Sequence, residues 1–243
     1  MASRSNLSDD SKSKGNLRGV NEALDALNKS QQGTHGLVVY PDVSTLRTIY
    51  SRYTKIQLED NNEIVVIMPY YETTDIVRSI LSGMDVYNNN DDNNNSRRPI
   101  PVGYSGINVD KYEKEGSLII VDSLKGYFAS EQEQKYNSQD NNIKNDMGLM
   151  AFLDILDKHA KRRHKDGVTV LSDMGSFYYN QNYDHHYQKL MKYEISLPEK
   201  YKSRSIKGFC LYHQRDFEMR FSREQQAELL DSHSRNIMLV SAT

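Results

Sequence analysis

Three carboxylates follow short apolar, largely β-branched runs. Glu72 comes soon after Ile64–Met68, Asp122 directly after Leu118–Val121, and Asp173 shortly after Val168–Leu171. Carboxylates brought from separate strand ends to one cleft can hold a metal ion or exchange protons with a substrate; they also commonly cap helices. Tyr212 and His213 end another such run, Phe209–Tyr212, and add a hydroxyl and an imidazole to the same expected cleft. His35 precedes the first run, Leu37–Tyr40, where it can donate to a polar ligand or titrate near neutral pH. Cys210 lies inside an apolar strand and reads as a small buried hydrophobe, because a reactive thiolate needs exposure and a cationic neighbour. His233 ends a helical pattern, where the helix dipole favours a cation. No catalytic set is assigned, and no metal or cofactor is expected.

Nucleotide chemistry is tested by what a phosphate loop requires. Glycines let backbone N–H groups reach the phosphates, a lysine meets the β and γ phosphates, and a serine or threonine meets magnesium. After the first strand the chain reads Tyr40-Pro-Asp-Val-Ser-Thr45, with neither glycine nor lysine. No Gly-Lys and no Gly-x-Gly occurs anywhere in the chain. Leu118–Ser123 does have the shape of a Walker-B strand, four apolar residues ending in a carboxylate. Lys158–Lys165 is the one basic cluster, and it sits where a helix C-terminus would attract cations in any case.

These residues need elements to position them, and the chain alternates between two periods. The runs at 37–40, 64–68, 118–121, 168–171, 209–212 and 237–240 predict strands. Ile64–Met68 is apolar throughout, as a strand buried on both faces must be. Between them lie helical stripes: Leu46, Ile49, Tyr50, Tyr53 and Ile56, capped by Asp42 or Ser44; then Ile76, Val77, Ile80 and Leu81, capped by Thr73 or Thr74. A helix is predicted from about 147 to 165. Another runs from 183 to 195 through Tyr187, Leu190, Met191 and Ile195, and Ser222-Arg-Glu-Gln225 opens a last one as a capping box. Strands alternating with helices predict a three-layer α/β/α sandwich around a mostly parallel sheet. In such a sheet ligands gather at the carboxyl ends of the strands.

Composition sets the outer bounds. The chain has 243 residues, of which 37% are hydrophobic, and a net charge of −2 from 31 basic and 33 acidic side chains. That balance supplies no field favouring nucleic acid or an anionic membrane. One cysteine cannot form an internal disulfide, and no apolar run spans a bilayer, so a cytoplasmic protein is expected. The polar excess sits in three blocks. Residues 1–32 read as a flexible N-terminal arm, although Val20, Ala23, Leu24 and Leu27 fall at helical spacing and could dock as a short helix, and residues 33–243 read as a single domain with polar insertions near 87–99 and 129–146. The 17 tyrosines, with no tryptophan, supply apolar rings with polar tips, suited to a semi-polar pocket or a partner surface.

The order of these features resembles the RecA/KaiC-like ATPase folds and, within them, the MEDS (DcmR-type sensory) domain, over most of residues 33–243. Thr34–Asp42 looks like the family's His-apolar-Tyr-x-Asp opening and contributes His35, Tyr40 and Asp42. Asn62–Glu72 and Gly106–Ser123 look like KaiC-type strands. Ser172–Met174 stands where Gly-Glu-Met is usual, and Phe209–Tyr212, Phe221 and His233 resemble the closing Cys-x-Tyr strand and histidine. Asp173 departs from the usual glutamate, and His213 stands where an aspartate is common. The resemblance implies a non-catalytic sensory module with a lost phosphate loop. It would bind a small ligand through His35, Tyr40, Asp42, Glu72, Asp122, Asp173, Tyr212 and His213, and signal by docking to a protein or by forming a homo-oligomer. Two other functions stay open. One is a nucleotide-binding or hydrolysing enzyme using the strand-end carboxylates; the other is a DNA-associated RecA-like paralogue using the basic cluster.

Overall fold

Each apolar run becomes a strand of one sheet. The computed structural model describes residues 17–83, 106–127, 147–177, 179 and 183–239; the polar insertions expected near 87–99 and 129–146 lie outside them. In chain order the elements are β1 (Leu17–Arg18), α1 (Val20–Asn28), β2 (His35–Tyr40), α2 (Val43–Glu59), β3 (Ile64–Met68), α3 (Thr74–Leu81), α4 (Val109–Lys114) and β4 (Leu118–Ile120). Then follow α5 (Met147–Arg162), β5 (Val168–Asp173), a 3-10 turn (Met174–Phe177), α6 (Tyr183–Lys202), β6 (Ile206–His213), α7 (Gln214–Arg220), α8 (Arg223–Ser232) and β7 (Arg235–Leu239). The strand order is β1-β7-β2-β6-β5-β3-β4, and every pairing is parallel.

Strand side chains alternate between two cores. Val38 and Tyr40 of β2 pack with α1, α2, α3 and α4 through residues such as Leu27, Ile49 and Val77. Leu37 and Val39 face the other way, towards Leu153, Leu190, Phe217 and Leu229 of α5 to α8. This is the expected α/β/α sandwich. The expected caps form as well: Asp42 accepts from Thr45 N–H at 2.7 Å, Thr73 caps α3, and Ser222 with Gln225 completes a capping box.

Three expectations are corrected. Residues 17–32, expected to be part of a flexible arm, carry β1 and α1, and α1 buries Ala23, Leu24, Ala26 and Leu27 against the sheet. Four buried apolar side chains on one stripe give the segment enough contact to offset its ordering entropy. Residues 1–16 lie outside the described residues. The inward stripe of α6 also differs from expectation. Ile195 is 61% exposed, whereas Leu190, Glu194, Leu197 and Tyr201 are buried. Finally, α4 and α7 were not foreseen, because each buries too few apolar residues to show a period; α4 buries Val109 alone.

A buried ion pair ties β6 to the segment between α2 and β3, and a hydrogen bond ties it to α2. Lys207 lies on the α1–α4 side of β6, its Nζ 2.9 Å from Glu63 Oε1 and 3.1 Å from Gln57 Oε1. Thr169 Oγ1 donates to Glu63 Oε2 at 2.5 Å. Removing one partner strands the other charge in low dielectric, so Lys207→Met is expected to cost about 3 kcal/mol. Urea unfolding checks this, and adding Glu63→Gln should recover part of the loss. A single variant that unfolds with the wild type would show that the pair contributes nothing.

Candidate functional site at the strand ends

The connection from β3 leads outward to β4, whereas that from β5 leads the opposite way to β6. Neighbouring strands whose connections diverge leave a crevice beyond their carboxyl ends, the usual place for a ligand in a parallel sheet. Here the crevice falls between the ends of β3 and β5, at Tyr70–Tyr71 and Asp173.

Asp173 is the last residue of β5 and is fully buried. Its Oδ1 accepts from Gly175 N–H at 3.1 Å, and its Oδ2 from the Tyr40 hydroxyl at 3.3 Å. Burial pushes its pKa up to about 7, against the stabilising bonds from Gly175, Tyr40 and the backbone of Tyr71 and Tyr70. The Tyr70 ring covers Gly175 so closely that a Cβ there would come within 2.3 Å of Tyr70 Cδ1, which is why the position holds a glycine. Tyr70 stacks on Tyr179, with centroids 5.9 Å apart. Tyr71 and Tyr179 both donate to Asp216 of α7, and the guanidinium of Arg220 lies 5.1 Å from the Tyr179 ring. Burial raises the Tyr71 phenol, and the bond to Asp216 raises that of Tyr179, so both stay protonated donors.

Beside this cluster lies an open cleft of about 420 Å³. It is lined by Tyr70, Tyr71 and Glu72 from the segment after β3, and by Ile120, Val121, Asp122 and Lys125 from β4 and the segment after it. Glu72 is held by Arg47, with Nε at 2.7 Å and Nη2 at 2.6 Å, and by the Tyr50 hydroxyl at 3.2 Å. Asp122 Oδ1 accepts from Lys125 N–H at 3.1 Å and so starts a helical stretch at residues 123–127.

The structure thus brings together some of the expected residues and separates others. Tyr40, Asp173 and His213 meet: the His213 ring lies 5.4 Å from Tyr40 and 5.5 Å from Tyr71. Glu72 and Asp122 line the cleft. Asp42 turns away to cap α2. Glu72, Asp122 and Asp173 do not form a group close enough to share one ion among the described residues.

His35 and Tyr212 do not reach the cleft. His35 begins β2, at the opposite end from the carboxyl termini, and pairs with Gly208 in the sheet. Tyr212 shares the face of Cys210, towards α6. Both join Glu194 and His233 in a fully buried cluster. Tyr212 donates to Glu194 Oε1 at 2.5 Å, and Glu194 Oε2 lies 3.0 Å from both His35 Nε2 and His233 Nε2. The two imidazoles stack with centroids 4.1 Å apart. Burial alone would raise the Glu194 pKa, but the charges of His233 and His35 beside it outweigh this and hold the carboxyl well below the usual range. Burial lowers His35 against the pull of Glu194, and it raises the Cys210 thiol well above its ordinary value.

Sequence reasoning missed Tyr70, Tyr71, Asp216 and Glu194. For Glu194 the signal was present: Leu190 and Leu197 are seven apart and place position 194 on their own stripe. The basic cluster is at the opposite end of the sheet from the cleft. Lys161 there pairs with Asp157 at 2.6 Å, and Lys165 donates to Asn62 at 3.0 Å. Among the described residues no helix is long and apolar enough to cross a membrane.

No known protein family and no curated protein matches the chain. Among solved structures it is similar to the KaiC-like protein PH0186 from the hyperthermophilic archaeon Pyrococcus horikoshii OT3. Identity is 15% and the TM-score 0.49, with 87% of this chain and 75% of that one covered.

Proposed function

We propose that the chain is a sensory module that binds a small organic ligand at the strand ends, in a degenerate RecA/KaiC-like fold of the MEDS type, and passes the signal to a docked protein or a second copy in the cytoplasm. The observation that carries this reading is the cleft of about 420 Å³ beyond the carboxyl ends of β3 and β4, next to the sheet's switch point and lined by both apolar and polar side chains. Its chemistry suits a compact molecule with one apolar face and one hydroxyl or anionic group. Ile120 and Val121 offer the apolar contact, and Lys125 and the Tyr70 hydroxyl the polar ones. The absence of Gly-Lys from the sequence supports sensing over nucleotide turnover.

Thermal-shift screening of the purified protein against a metabolite library tests this. A ligand present at 100 times its Kd should stabilise the fold by about 2.7 kcal/mol. Tyr70→Ala and Lys125→Ala should each weaken that shift. A library without a stabilising member, or one whose effect both variants leave intact, overturns the reading. ATP hydrolysis lost in Asp122→Ala would replace it with an enzyme.

A further inference from the structure

We propose that His35, Glu194, Cys210 and His233 form a four-ligand site for a zinc-class divalent cation. Their ligand atoms all lie within 4.8 Å of one another, and all four side chains are buried. A tetrahedral zinc ion with Zn–N and Zn–O near 2.0–2.1 Å and Zn–S near 2.3 Å requires ligand separations of about 3.3–3.6 Å. The cluster already stands close to this. Cys210 Sγ is 3.4 Å from His35 Nε2 and 3.6 Å from Glu194 Oε2, and each imidazole Nε2 is 3.0 Å from that oxygen. Admitting the ion also requires the two imidazoles, stacked 4.1 Å apart and 26° from parallel, to turn so that both Nε2 lone pairs converge on it.

The orienting contacts are also in place. His233 Nδ1 donates to the Leu229 carbonyl at 2.6 Å, which in the neutral ring leaves Nε2 as the lone-pair nitrogen facing the cluster. That nitrogen is 3.0 Å from Glu194 Oε2 without the alignment of a hydrogen bond. At that distance from a carboxylate oxygen the nitrogen must either carry a proton or share a cation with it. Tyr212 holds the other carboxylate oxygen, Oε1, and so directs Oε2 inward. Charge closes as well: a divalent ion, one thiolate and one carboxylate sum to zero, which suits four buried side chains. Binding releases the Cys210 thiol proton to solvent, and the proton of whichever imidazole is then protonated. The four ligands come from β2, α6, β6 and the end of α8, and the ion would tie these elements together as the chain folds.

Cobalt refolding tests the assignment. Protein unfolded in guanidinium with chelator, then refolded with Co²⁺, should show the intense visible bands of tetrahedral cobalt and a near-ultraviolet thiolate charge-transfer band. Cys210→Ser, nearly isosteric, should keep the fold by circular dichroism and lose the charge-transfer band. His233→Gln should weaken cobalt binding at least tenfold. Protein prepared without an affinity tag should carry zinc near one equivalent per chain by elemental analysis. Refolded wild-type protein lacking both bands, or bands that persist in Cys210→Ser, would overturn the site and leave a buried imidazolium–carboxylate network.

Discussion

Glu194→Ala, assayed in chelator so that no metal contributes, is expected to lower the free energy of unfolding by about 5 kcal/mol. The carboxylate accepts from Tyr212 and lies against His35, His233 and the Cys210 thiol, all in a space without solvent. Deleting it leaves any imidazolium uncompensated, strands a phenol, and opens a cavity between α6 and the sheet. Glu194→Gln keeps the shape and an acceptor for Tyr212 but removes the charge, so about half of that loss is expected. Guanidinium titration followed by circular dichroism reads both. If the alanine variant does not fold, the glutamine variant still decides. An effect under about 1 kcal/mol would mean that the cluster does not depend on its carboxylate.

The second large effect is one of pH. Asp173 has a folded-state pKa of about 7 against an ordinary value of 3.8. Between those values the folded chain holds a proton that the unfolded chain has released. Stability from this group is therefore fully present below about pH 4 and is lost as pH rises through 7. The loss amounts to as much as about 4 kcal/mol, at 1.36 kcal/mol per unit. Denaturation midpoints of wild type and Asp173→Asn, compared from pH 4 to 8, should diverge with that slope. Parallel profiles would show that the carboxyl ionises freely. A ligand that places a cation or a donor beside Asp173 would draw its pKa back down, so proton release on binding is a direct readout of contact at this residue.

What could be read from the chain follows from where apolar residues had to be. Ile64–Met68 announces a strand because both of its faces are covered. Asp42, Thr73 and Ser222 announce helix starts because orphan N–H groups need an acceptor nearby. Apolar periodicity puts Ile195, not Glu194, on the α6 stripe because a buried charge contradicts the apolar rule; only its partners, 159 and 39 residues distant, justify Glu194. The resemblance puts His35 in the ligand set together with Tyr40. A six-residue strand puts its two ends roughly 17 Å apart, so the neighbours in sequence serve opposite ends of the sheet. The tyrosine–aspartate cluster draws on β3, the segment after β5, and α7. No local pattern reports that convergence.

The strand order has a consequence for synthesis. β2 is the first long strand made, and it lies between β6 and β7, the last two. His35 pairs with Gly208, so 173 residues must be added before β2 finds its first neighbour. At about 5–20 residues per second that is roughly 10–35 s during which β2 has no strand to pair with. Leu37–Tyr40 is apolar and reads as a continuous hydrophobic segment while it waits. The ribosome-bound chain is therefore expected to be a client of holding chaperones. Slowing translation before residue 206 should increase its aggregation more than slowing it after residue 239.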